Sequence, residues 1–74
     1  MLNVGDKIQV IGWVMLEGME SGARYEVVRV RNGVYNFVKL NKDGSHSKRK
    51  RAAHLVKNVE AWIGGNSHNR IDIV

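Results

Sequence analysis

Asn32-Gly33 lies between two apolar runs, Arg24 to Arg31 and Val34 to Leu40. A two-residue turn of type I′ needs positive φ at both central residues, and Asn-Gly supplies it at least cost. The pair therefore predicts a β-hairpin, and a hairpin in so short a chain needs further strands to cover its apolar face. The returning run places Val34, Val38 and Leu40 on one face and Tyr35, Phe37 and Lys39 on the other. The outgoing run has mixed parity: Tyr25 and Val27 fall on one face, Val28 and Val30 on the other. Either both faces are partly covered or a bulge re-phases the strand.

The flanks read as further short elements. Val4-Gly5-Asp6 is a turn into an alternating strand from Lys7 to Gly12. Trp13 to Gly22 is irregular and punctuated by glycine, a long loop anchored by Met15 and Leu16. Asn41 to Gly44 is a second turn, and Ser45 to Arg51 reads as a solvated edge strand. From Ala52 to Ile63 two readings compete. Ala52, Leu55, Val56, Val59, Trp62 and Ile63 form a stripe at helical spacing. Yet Val59 to Ile63 alternates as a strand does. The favoured reading is a short helical turn at Ala52 to Lys57 and then a strand at Val59 to Ile63. Gly64-Gly65 ends the element, so residues 1–63 form one domain. Residues 64–74 form a C-terminal tail in which Ile71 and Ile73 either add a weak strand or fray.

Val4-Gly5-Asp6-Lys7-Ile8-Gln9-Val10 resembles the opening of KOW and other SH3-like small barrels. The remainder of residues 4–63 is similar to them in pattern: a long loop, a strand–turn–strand hairpin, a helical turn and a closing strand. The resemblance implies an all-β fold, a small SH3-like barrel of about five strands with one short helical turn before the last strand. The alternative is an α+β fold with a three-stranded sheet and a C-terminal helix. The expected core is Ile8, Val10, Val28, Val30, Val38, Leu55 and Trp62. Compact basic barrels of this kind also look like small proteins of bacteria and their phages.

Charge narrows the function classes. The 74 residues carry twelve Lys and Arg against seven Asp and Glu, a net charge of +5. Residues 1–23 hold Lys7 against Asp6, Glu17 and Glu20, whereas residues 24–74 hold the other eleven cations against four carboxylates. A field so polarised favours polyanions, nucleic acid first and acidic protein surfaces second. No cysteine is present, which removes disulfides and thiolate metal sites. No apolar run reaches membrane length, and no secretory signal opens the chain, so a cytoplasmic protein without a membrane partner is expected.

Lys48-Arg49-Lys50-Arg51 is the densest cationic point. On a strand it would alternate, with Lys48 and Lys50 on one side and Arg49 and Arg51 on the other. It is read as a phosphate-binding run, aided by Arg29, Arg31, Lys39 and Lys42, with Tyr35 or Trp13 stacking on bases. The plainer reading is a solvated loop. Trp62 and at least one of Tyr35 and Phe37 are expected inside, Trp13 and Tyr25 outside. His46, His54 and His68 are too scattered for a zinc site. No nucleophile–base set is present, and Gly64-Gly65 lacks the spacing and lysine of a phosphate loop. No metal, cofactor or catalysis is expected. The sequence thus predicts a non-catalytic domain binding RNA or DNA. The rival is a protein-interaction module, such as a phage factor docking on an acidic host protein through Met15, Leu16 and Met19.

Overall fold

The computed structural model describes residues 1–74. Its strands are β1 (Lys7–Ile11), β2 (Arg24–Arg31), β3 (Val34–Leu40), β4 (His46–Leu55) and β5 (Arg70–Ile73), with one helix, α1 (Val56–Glu60), before the last strand. The strands pair antiparallel throughout, in the spatial order β4-β3-β2-β1-β5, and Ile63 adds one isolated parallel bridge to Ile71. The fold is all-β with five strands and one short helix, as expected. The sheet is open, however, and not closed into a barrel, because β4 and β5 end it on opposite sides. No helix is long and apolar enough to cross a membrane.

The predicted hairpin forms, with φ of 53° at Asn32 and 72° at Gly33. The parity conflict in β2 resolves as a bulge. Val27 pairs with Phe37, but Arg29 pairs with Asn36, so Val28 is the extra residue. The bulge lets Tyr25 and Val27 share the inner face with Val30, which pairs with Tyr35.

That inner face carries the core. Ile8, Val10, Tyr25, Val27, Tyr35, Phe37 and Ile71 are buried on it. Phe37 packs edge-on against Tyr25, with centroids 6.4 Å apart, and lies tilted against Tyr35 at 5.8 Å. The cover is irregular chain: Leu2, the loop residues Val14, Leu16 and Met19, and Val59 of α1. This cover seals the inner face without pairing β4 to β5. Of the expected core, Ile8, Val10 and Val38 are fully buried. Val30 and Trp62 pack at its margin, while Val28 is half-buried at the bulge and Leu55 points outward. Val38 and Leu40 are buried on the outer face instead, where the Glu26–His46 ion pair (3.4 Å) joins β2 to β4 across β3.

Three corrections concern the second half. The helix begins at Val56, not Ala52, because β4 continues to Leu55 and the Val56 N–H closes on the Gly33 carbonyl at 2.8 Å. Val59 to Ile63 is not a strand: Val59, Trp62 and Ile63 meet the core at helical spacing. The last strand lies in the supposed tail, since Arg70–Ile73 pairs with β1 and Ile71 is fully buried. The domain therefore extends through residue 73.

Two glycines at positive φ separate two physical costs. Gly33 faces open space, so a side chain there meets only the backbone penalty. Gly12, at φ 68°, leaves β1 where a Cβ would collide with the His68 carbonyl oxygen. Gly33→Ala is expected to cost about 1 kcal/mol and Gly12→Ala clearly more, read from urea or thermal unfolding. Equal losses would show that the 66–69 segment does not close on Gly12.

Candidate nucleic-acid interface

Opposite the core, the outer face of β2, β3 and β4 buries only Val38 and Leu40. Cross-strand partners share a face, so the registers define three rows. Arg31, Val34 and Leu55 form the row nearest the hairpin turn; Arg29, Asn36 and Ala53 the next; Glu26, Val38 and Arg51 the third. Rows repeat about every 6.8 Å along a strand and strands lie about 4.8 Å apart. Arg29, Arg31 and Arg51 are exposed, and between them stand the short side chains of Asn36 and Ala53. The only carboxylate in the rows, Glu26, faces His46. The sequence placed these arginines in one function, and the sheet brings them to one surface.

The cationic run departs from the alternation expected of it. Val38 pairs with Arg51, but Leu40 pairs with His46. Ser47, Lys48, Arg49 and Lys50 therefore stand opposite Lys39 alone, an irregular four-against-one bulge at the sheet edge. Ser47 supports it: its hydroxyl oxygen accepts the N–H of Arg49 (3.4 Å) and of Lys50 (3.3 Å). Lys48, Arg49 and Lys50 are all exposed.

Lys39 and Lys42 lie elsewhere, in a shallow groove of about 680 Å³ where β2 begins and β3 ends. Lys7, Arg24 and Glu20 line it too. Sequence reasoning missed Lys7 and Arg24, because Arg24 reaches the β3 terminus through the β2–β3 register and Lys7 joins it only through the β1–β2 register. Lys39 donates to Glu20 Oε2 at 3.0 Å. That bond, with the Lys39 charge, holds the Glu20 carboxyl below the usual carboxylate range, and the Lys50 charge adds to it.

The two aromatic candidates are not part of the arginine face. Tyr35 is fully buried, and burial, with its bond to Glu60 second, pushes its hydroxyl up. The hydroxyl accepts the Leu2 N–H (2.8 Å) and donates to Glu60 Oε1 (2.8 Å), so the ring is unavailable for stacking. Trp13 is 67% exposed. It leaves β1 beyond Ile11, whose partner is Arg70 on β5, at the end of the sheet away from the hairpin turn. Its N–H is held by Asn69 Oδ1 at 2.8 Å. Tyr25, expected outside, is buried; its hydroxyl accepts the Glu20 N–H and donates to the Gly18 carbonyl. In the proposed docking loop Leu16 and Met19 are buried, which leaves Met15 exposed beside Trp13.

Of the twelve Lys and Arg, Lys39 and Arg70 form ion pairs and the other ten form none. No protein-family model, curated protein or solved structure matches this chain.

Two substitutions probe these bonds. Lys39→Ala should return the Glu20 carboxyl toward its ordinary value in an NMR pH titration, and an unmoved titration would dissolve the pair. Tyr35→Phe should cost about 1–2 kcal/mol in urea unfolding, since it leaves the Leu2 N–H without its buried acceptor. An unchanged midpoint would mean that the hydroxyl secures neither Leu2 nor Glu60.

Proposed function

We propose that this chain is a non-catalytic nucleic-acid-binding domain that contacts phosphates through Arg29, Arg31 and Arg51, extended at the sheet edge by Lys48, Arg49 and Lys50. One observation carries the reading. Three guanidinium groups occupy one outer sheet face with no carboxylate partner, in a chain where ten cations of twelve are unpaired. Like charges held together repel, and arginine offers a planar fork that matches a phosphate. The order of elements along the chain, with a long loop, a hairpin and a short helix before the last strand, supports the likeness to SH3-like small barrels, and the open sheet departs from it.

A second reading, a protein-interaction module, rests on Trp13 and Met15, exposed by 67% and 70% on the loop after β1. Salt separates the two, because counterion release makes phosphate binding steeply salt-dependent and apolar docking is not.

The test is a fluorescence-anisotropy titration with labelled nucleic acid at about 150 mM salt, where non-specific complexes reach about 10⁻⁴ to 10⁻⁶ M. The variant carrying Arg29→Ala, Arg31→Ala and Arg51→Ala should melt like the wild type, because all three side chains are solvated. It should lower the slope of log affinity against log salt by about 0.9 for each duplex phosphate that the protein no longer neutralises, about 2.7 in all. Absence of any complex with RNA or DNA in that range overturns the proposal.

A further inference from the structure

The ligand class is set by where the fold puts its rings. The chain has five aromatic residues: Trp13, Tyr25, Tyr35, Phe37 and Trp62. Tyr25, Tyr35 and Phe37 are buried on the inner face, and Trp62 packs at the margin of the same core. Trp13 stands beyond the far end of β1. The three outer rows, Arg31-Val34-Leu55, Arg29-Asn36-Ala53 and Glu26-Val38-Arg51, contain no ring. The exposed arginines thus lie on the side of the sheet opposite the buried rings, and His46, held by Glu26, is the one ring beside the third row.

Single-strand binders combine a basic track with rings that stack on successive bases, worth about 1–3 kcal/mol per base. This face offers the track alone. A flexible single strand would have to be ordered on it with no stacking in return. A duplex arrives already ordered, with one charge per roughly 1.7 Å of axis. It presents phosphates from two strands to a surface that is three strands wide and prolonged by the Ser47–Lys50 bulge. Asn36, half-buried between Arg29 and Ala53, is the only uncharged polar side chain in the rows, too little to read a sequence of base edges.

Building on the nucleic-acid reading above, we infer that the arginine face binds the sugar–phosphate backbone of double-stranded nucleic acid, without stacking on bases and without sequence preference.

The experiment titrates the wild-type chain into labelled probes of about 20 nucleotides at about 150 mM salt, where non-specific complexes are measurable. The probes are a DNA duplex, an RNA duplex, and each constituent strand alone, in two base compositions. Tryptophan emission is measured in parallel. At least one duplex should bind about tenfold or more tightly than its own separated strands, with both compositions alike. Tryptophan emission should not be quenched, and Trp13→Ala should bind as the wild type does. Tighter binding of single strands, quenching on binding, or loss of affinity in Trp13→Ala overturns the inference and leaves the nucleic-acid reading standing. No binding to any probe overturns both.

Discussion

Two tyrosine hydroxyls hold the irregular half of this molecule onto its regular half. A single five-stranded sheet has one apolar face to hide, and here no second sheet exists to hide it. The cover is a loop, a five-residue helix and the first residues of the chain, none of which is stable alone. Tyr25 and Tyr35 stand in the middle strands with their rings in the core and their hydroxyls at its far side. One bonds the backbone of the loop at Gly18 and Glu20; the other bonds Leu2 and, through Glu60, the helix. His54 adds a third tie, donating from Nε2 to the Glu17 carbonyl at 2.7 Å. Each ring fills volume and each hydroxyl satisfies chain that would otherwise have unpaired groups near the core.

The same constraint produces the division between faces. A core made by so few residues needs its large rings, so aromatics are drawn inward and the opposite face is left to side chains that tolerate water. Val38 and Leu40 are nonetheless buried on that face, next to the Glu26–His46 pair that spans β2 to β4.

What was legible in the sequence was local. Asn32-Gly33 specified its turn by the φ values it permits, and the mixed parity of Arg24 to Arg31 offered a bulge as one of two readings, which the β2–β3 register places at Val28. The edge position of the basic run followed from its charge. What was not legible depended on partners distant in the chain. Arg70 to Ile73 has only two apolar residues and becomes a strand because β1 offers it an edge. Tyr35 and Lys39 alternate on one strand like a mixed stacking site. Only the placement of Leu2 and Glu60 reveals that the ring is enclosed. The four-against-one bulge in β4 has no marker beyond Ser47, because its length is set by the offset between two pairings.

The position of β1 between β2 and β5 has a consequence for how the chain acquires its structure. β1 has both its edges paired only when β5 joins it. The β2–β3–β4 hairpins join residues near one another in sequence, whereas Ile8 and Val10 meet Ile73 and Ile71 across about sixty intervening residues. Pairing across such a separation carries the larger loop-closure cost, so the arginine face rests on local pairings and the sealing of the core on the most distant one.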